Sequence, residues 1–349
     1  MIYAPIIIPT LSRYEHLVRL LESLIANTWA KYTELYVAVD EAPAEKYTNG
    51  REKILQYLSS EELKTAFKDV HIIERERNYG SLWNGYYLIE DIAKRAECWI
   101  CLQDDLEVSP NFIEYMDKCL ERYKGDNNVV AICGYSYPVD WNLSKEATCF
   151  RQQINCAAWG LGLWKEKYRQ MFEDMRSGRL LNEYPNVIKK GLYRKMIDAC
   201  RREYVEAACY QWSYGHQWFK VLSDIALRAY LAVYDKYAIT PAITKVKNYG
   251  FDGSGDCCEA PEEGKVDSFA IQQMDTSSTF EIVESEETYA EENRVLLNIL
   301  DSRTDEQMQK SKRLIWLSSH VGVWAAKLYC LLGLPYDFAI RAYNKYIRK

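Results

Sequence analysis

Within the first 105 residues, a short apolar run four times ends at polar or charged residues. Pro5–Thr10 (PIIIPT) leads to Arg13, and Leu35–Val39 ends at Asp40 and Glu41. Val70–Ile73 leads into RERNYG, which holds Asn78 and Gly80, and Trp99–Leu102 stops at Asp104 and Asp105. The segments between them have helical spacing. Leu17, Leu20, Leu21, Leu24 and Ile25 predict an amphipathic helix over Arg13–Asn27, with Ser12 as N-cap. Shorter helices are predicted near Glu52–Leu58 and Glu61–Phe67. A longer one covers Ser81–Arg95, with Leu82, Tyr86, Ile89 and Ile92 on one face. This alternation predicts an α/β fold, a mostly parallel sheet with helices on both faces. In such a sheet the four polar strand ends share one rim, and that rim is where ligands bind.

The pattern then changes. A helix over Asn111–Tyr123 and a strand over Val129–Cys133 are predicted. In CAAWGLGLWKEKY (Cys156–Tyr168), Gly160 and Gly162 interrupt an aromatic run and Trp164 starts a helix. Glycines there either let the backbone approach a ligand closely or kink a core strand. A second aromatic cluster, Tyr210–Val221, precedes a strand-like Ala229–Val233. Asn248–Asp256 (NYGFDGSGD) reads as a glycine-rich loop, and acidic Glu259–Glu292 as loop or partial disorder. Leu314, Leu317, Val321, Trp324, Leu328 and Leu331 predict an amphipathic helix over Leu314–Leu334. With His320 and Lys327 inside it, that helix is too polar to span a bilayer. Its flanks, Lys310, Lys312, Arg313, Arg341, Lys345, Arg348 and Lys349, suit an anionic membrane surface. A helix closing over the core, or joining two copies, is the competing reading.

Composition narrows the class. At 349 residues, 48% hydrophobic and 27% charged, the chain suits one large soluble domain or a domain with an appendage. The net charge of −6 gives a nucleic-acid partner no support. Charge is uneven: Lys310–Lys349 carries +7, leaving −13 on the rest. The 11 cysteines are scattered and odd in number, so neither a zinc site nor a disulfide framework is expected. Cys98, Cys101 and Cys133 read as core thiols in a reducing compartment. No secretory leader is read at the start, so a cytoplasmic location is expected. The 28 tyrosines and 10 tryptophans supply stacking faces for sugars, or simply core.

Candidate chemistry concentrates at Asp104 and Asp105. Neighbouring carboxylates repel unless a proton or cation holds them, and a divalent ion with oxygen ligands is the natural occupant. The other reading is a solvated turn. Arg13, Asp40 and Asn78 on the same rim favour a binding site.

These pieces together resemble the GT-A fold of nucleotide-sugar glycosyltransferases, specifically bacterial family 2 enzymes, with a distant likeness to N-acetylglucosaminyltransferase I. The matching segments are Ile6–Arg13, Val37–Ala42, Arg77–Gly85, Gln103–Phe112 (QDDLEVSPNF), Trp159–Tyr168 and Lys247–Gly255 (KNYGFDGSG). The likeness covers about residues 1–260, with a nucleotide-sugar half at 1–125 and an acceptor half at 126–260. Residues 261–349 would form an acidic linker and a basic helical extension. The resemblance implies that Pro9, Thr10, Arg13, Asp40, Asn78, Gly80, Asn84 and Asp104 surround the donor. Asp40 would accept from the nucleobase, and Asp105 would ligate Mn²⁺ or Mg²⁺ on the diphosphate. Trp159, Gly160 and Tyr214 would meet the acceptor.

The implied activity is inverting transfer of a sugar from a nucleoside-diphosphate sugar to a saccharide or lipid-linked acceptor. Bacterial surface polysaccharide synthesis, peripheral to the inner membrane face, is the implied setting. Inversion needs a general base. Where relatives carry Asp, this chain has Gly215, leaving His216, Glu173 and Asp174 as candidates. Cys257 stands where relatives often carry His. A sugar nucleotidyltransferase is disfavoured because IPTLSR lacks a phosphate-loop glycine. A degenerate domain that binds nucleotide sugar without transfer stays open.

Overall fold

A computed structural model describes residues 1–153, 156–177, 234–255 and 272–285, with 227, 230–231 and 269. In the C-terminal region it describes 313, 316–317, 320–321, 324–325, 328–329 and 332. The chain divides into two compact units, Met1–Gln170 with Tyr237–Leu296, and Met171–Lys236 with Leu297–Lys349.

The first unit begins as the periodicity predicts. Strands β1 (Ile6–Thr10), β2 (Glu34–Val39), β3 (Asp69–Glu74) and β4 (Cys98–Cys101) alternate with helices. The helices are α1 (Tyr14–Ile25), α2 (Glu45–Leu58), α3 (Glu61–Ala66) and α4 (Ser81–Ile92). β1 pairs in parallel with β2, from Ile6↔Leu35 to Thr10↔Val39, and with β4 on its other side. β2 pairs in parallel with β3. The buried strands are rich in Ile, Val and Leu, as strands covered on both faces require. Leu17, Leu20, Leu21 and Leu24 of α1 are fully buried. Each such side chain contributes about 1.5–3 kcal/mol.

The chain then builds the other half of the sheet. β5 (Leu106–Val108) is followed by α5 (Phe112–Tyr123), β6 (Val129–Cys133), β7 (Cys149–Gln152) and β8 (Leu161–Trp164). Next come α6 (Lys165–Arg176), β9 (Tyr237–Pro241), β10 (Val246–Asn248) and β11 (Glu284–Ser285). The nine-stranded order is β11-β7-β9-β6-β8-β4-β1-β2-β3, and β5 pairs with β10 in a separate ribbon. Within this sheet β8 runs antiparallel to both β4 and β6, and β7 antiparallel to β9, and its other pairings are parallel; the β5–β10 ribbon is antiparallel. The result is a mixed, mostly parallel α/β sheet flanked by helices.

Several expectations change. Tyr230 and Leu231 are helical, and the strand lies later, at Tyr237–Pro241. A short apolar run does not by itself distinguish a strand from a buried helix turn. Ser12 does not cap α1: the N-cap is Arg13, without a side-chain cap bond. The Ser12 carbonyl instead lies so close to α2 that a Cβ on Gly50 would sit 2.2 Å from it. Residues 272–285, expected as loop or partial disorder, are loop as far as β11, but that loop is tied to α5. Asn111 Nδ2 donates to Asp275 Oδ2 (3.0 Å) and to the Thr279 carbonyl (2.9 Å). The Phe280 ring is buried edge-on against Tyr115, 4.9 Å between centroids.

Cys98 and Cys101 have CxxC spacing, yet both lie in β4, where residues three apart point to opposite faces. Burial pushes both thiols up to about 12, as suits inert core groups. Five of the six described cysteines are buried. Among the described residues, no helix is long and apolar enough to cross a membrane.

Candidate functional site

Parallel pairing brings the carboxyl ends of β1, β2, β3 and β4 to one rim, and the side chains there join into a network. Arg13 leaves the end of β1 at the start of α1. Its guanidinium spans the two acids beyond β4: Nη2 is paired with Asp104 Oδ1, and Nη1 lies 3.0 Å from Asp105 Oδ2. Thr10 Oγ1 donates to Asp104 Oδ2 at 2.8 Å. The cation that first relieves the repulsion between the paired acids is therefore Arg13. Burial pulls the Arg13 guanidinium down, but the charges of Asp104 and Asp105 more than reverse this and hold it above its ordinary value. Burial, chiefly, pushes the Asp104 carboxyl up, and Asp105 adds to this against Arg13 and Thr10.

Asp105 is only partly satisfied. Its Oδ1 is buried and meets no hydrogen-bond donor. One guanidinium against two carboxylates also leaves the corner one charge negative. An unfilled buried acceptor in a negative corner is what a Mn²⁺ or Mg²⁺ ion would complete, with the other positions left to phosphate oxygens and water. Asp105, with Asp104 beside it, fits that role. Among the described residues no group of three or more His, Cys, Asp or Glu side chains is placed to hold an ion. Any ion here would depend on a ligand for the rest of its shell.

Asp40, at the end of β2, is buried and well supplied with donors. Its carboxylate accepts from the backbone N–H groups of Glu41 (3.1 Å), Tyr79 (3.0 Å) and Gly80 (2.8 Å) and from Asn78 Nδ2 (3.2 Å). Asp40 thus shapes the turn after β3, where Gly80 has φ +77, a conformation that favours glycine. Asn84 is also fully engaged. Its Nδ2 donates to the Ala38 carbonyl (2.9 Å), and its Oδ1 accepts from Arg75 Nε (2.9 Å). It ties α4 to the strand ends. Pro9 lies within β1, opposite Ala38. Beside Asn78, a cavity of about 280 Å³ is lined by Arg77, Tyr79, Trp83 and Tyr87.

The glycine-rich loop closes the acid corner. Tyr249 N–H donates to the Asp105 carbonyl at 2.8 Å. A Cβ on Gly250 would lie 2.3 Å from Asp105 Oδ2, so only glycine leaves the carboxylate where it is. The loop is pinned to α1 by His16, whose Nε2 lies 2.9 Å from Asp252 Oδ2 and 3.2 Å from Ser254 Oγ. Arg19 lies over the Tyr249 ring, 4.2 Å from its centroid. The spacing of His16 and Arg19, three apart on one helix face, was visible in the sequence. Their partners, more than 200 residues away, were not.

Trp159 stands edge-on to Tyr135 (4.6 Å) and Phe251 (5.7 Å), in a cluster that also takes in Phe269. Gly160 has φ +72, and a Cβ there would come within 2.9 Å of Val246. That backbone is tight because β10 and α5 press on it. Glu173 and Asp174 lie in the second half of α6, in the other compact unit, exposed and buried respectively. His216, Tyr214, Gly215 and Cys257 lie outside the described residues.

No protein-family profile and no curated protein matches this chain. Solved structures do. The S. aureus TarS structure aligns at a TM-score of 0.35 and 13% identity, over 49% of this chain and 30% of TarS. A 1–349 form of TarS aligns at 0.34 and 15% identity, over 47% of each chain. The mannosyltransferase PcManGT from Pyrobaculum calidifontis, solved with GDP-Man and Mn²⁺, aligns at 0.38 and 13% identity, over 97% of this chain and 80% of its own. This chain thus spans less than half the length of either TarS structure. TM-scores below 0.5 fix neither the topology nor the chemistry of this chain.

Proposed function

We propose that the rim binds a nucleoside-diphosphate sugar with Mn²⁺ or Mg²⁺, and that the protein transfers the sugar, with inversion, to a saccharide or lipid-linked acceptor. The observation that carries this is the acid corner. Two adjacent carboxylates stand at the end of a buried strand, bridged by Arg13, and the buried Asp105 Oδ1 has no donor. A divalent ion there would offset the charge that grows on the departing diphosphate, stabilising the transition state above the ground state.

The chain's own groups do the positioning. Thr10 and Arg13 hold Asp104 beside Asp105, and Gly250 lets the closing loop approach without displacing the carboxylate. Asp40 sets the turn carrying Asn78 and Gly80, next to the aromatic-lined cavity at Tyr79 and Trp83. In this reading the nucleoside and donor sugar occupy that side, and Trp159 offers a ring face to the acceptor. The sequence leaves His216, Glu173 and Asp174 as the candidates for the base that takes the acceptor proton. The acceptor is presented at an anionic membrane surface through the basic C-terminal helix.

A second reading has one specific observation in its favour: Arg13 already occupies an oxygen of each acid. The domain would then bind nucleotide sugars without transfer. Release of nucleoside diphosphate from a panel of nucleotide sugars, with Mn²⁺ or with chelator, separates the two. Transfer predicts Mn²⁺-dependent release, at least 100-fold lower in Asp105→Ala with an unchanged melting temperature. Metal-independent donor binding without release would establish the second reading. Full activity of Asp105→Ala would sink the metal assignment.

A further inference from the structure

The opposite edge of the same sheet carries a second candidate site. β1 is five residues long, so this edge is about 17 Å from the rim at 3.3 Å per residue. A cleft of about 590 Å³ opens there, lined by residues before β1, at the start of β2, before β3 and at the end of α4. That volume lies within the range of small-molecule sites.

Its chemistry is cationic and aromatic. Tyr36 and Ile92 are buried lining residues. Tyr3 and Tyr32 stand exposed, centroids 5.0 Å apart and planes tilted by 35°. Lys31, Lys68 and Arg95 line the cleft against one acid, Glu34. Glu34 is already neutralised: Lys68 Nζ donates to its Oε1 at 2.7 Å, and the Tyr36 hydroxyl to its Oε2 at 3.0 Å. Lys31 sits over the Tyr32 ring, and Arg95 makes no ion pair among the described residues. Two cations are thus left over in a chain of net charge −6. The carbonyls at the end of α4 do not oppose an anion strongly, since Ile89 and Ile92 already accept from Ala93, Arg95 and Ala96.

We propose that this cleft binds an anionic saccharide, a sugar ring bearing a phosphate or carboxylate. Lys31 and Arg95 take the charge, and the exposed tyrosine faces take the C–H face of the ring. The 35° tilt and 5.0 Å separation leave no slot to sandwich a flat base. The polar side chains lining the cleft are Lys31, Arg95 and the hydroxyls of Tyr3 and Tyr32, with Lys68, Tyr36 and Glu34 committed to one another, a set suited to charge and sugar hydroxyls. The ligand is either a free sugar phosphate or an acidic unit of a glycan chain.

The test uses the full chain in the presence of chelator, with calorimetric titration of glucose 1-phosphate, glucose, inorganic phosphate, uridine monophosphate and a galacturonate oligomer. Glucose 1-phosphate should bind at least tenfold more tightly than glucose or phosphate. Tyr32→Ala and Arg95→Glu, both at exposed positions, should each weaken it at least fivefold without changing the melting temperature. Tighter binding of the galacturonate oligomer identifies a glycan chain as the source, and the reverse order a free sugar phosphate. Equal binding of phosphate and glucose 1-phosphate would reduce the cleft to a plain anion patch. Tighter Arg95-dependent binding of uridine monophosphate, or affinity unchanged in both variants, would overturn the proposal.

Discussion

At Gly250 the acid corner has no slack. An added methyl would lie 2.3 Å from Asp105 Oδ2 and 2.9 Å from its Cγ, and Asn248 Oδ1 closes the third side at 3.1 Å. The carboxylate cannot give way freely, because Arg13 holds that oxygen at 3.0 Å. Gly250→Ala should therefore displace the Asp105 head and leave the core untouched. The expected outcome is a loss of at least tenfold in Mn²⁺-dependent kcat/KM, with a far-ultraviolet spectrum and melting temperature close to the parent's. Gly255 is the internal control. A methyl there would meet only Arg13, at 3.1 Å from Nη1, a contact that a shift far smaller than the one Gly250 demands would relieve. Gly255→Ala should cost several-fold less. Equal effects at the two positions would mean that the loop acts through its backbone and not through Asp105.

The elements divide sharply in how far they could be read from the sequence. β1, β2 and β4 were legible as short apolar runs and α1 as a 3.6-residue stripe. α2 starts at Glu45, before the predicted Glu52, and α4 buries Asn84, Leu88 and Ile92 while Leu82 of the predicted stripe is exposed. The convergence of Arg13, Asp40, Asn78 and the paired acids followed from parallel order alone. In the second half of the sheet α5 and β6 were legible, as the helix over Asn111–Tyr123 and the strand over Val129–Cys133, but the shortest strands were not. β5, β10 and β11 have only two or three residues, too few for any period, and are defined by partners distant in the chain. Residues 272–285 look acidic and aperiodic, yet Lys245 pairs with Asp275 and Phe280 fills a gap beside Tyr115. That order rests on tertiary contacts. At the C-terminal helix the stripe was legible, but its use was not. Trp324, Leu328 and Leu332 hold helical positions at spacings of four and are exposed, Trp324 by 64%, and Val321, at a turn, is exposed too. An apolar face left in water beside a local charge of +7 fits insertion at an anionic bilayer surface. The protein should sediment with vesicles containing phosphatidylglycerol and less with neutral ones. Trp324→Glu combined with Leu328→Glu should abolish this at unchanged stability. Sedimentation that persists in the double variant would remove the helix from the membrane.

For the whole molecule, two acids in the first unit tie stability to pH with opposite signs. Asp275 is lifted by burial, but bonds from Lys245, Ser277 and Asn111 overcome this and hold it down to about 2. Its contribution is complete above the unfolded value near 4 and is lost as pH falls through about 2. Asp117 behaves the other way. Its Oδ1 accepts from the Ala4 N–H at 3.0 Å, its Oδ2 meets no donor, and burial pushes the carboxyl up to about 8. Below pH ~4 it is protonated in both states and costs nothing. Between pH ~4 and about 8 the unfolded chain releases this proton while the fold retains it. Stability therefore falls as pH rises, by up to about 1.4 kcal/mol for each pH decade, and levels off above about 8. Asp117→Asn keeps the shape and the bond to Ala4 but removes the titration. In denaturant unfolding from pH 4 to pH 9, the variant should match the parent near pH 4. It should exceed the parent by a few kcal/mol at pH 8. Parallel curves across that range would show that Asp117 is ionised in the fold, with a counter-charge that this geometry does not supply.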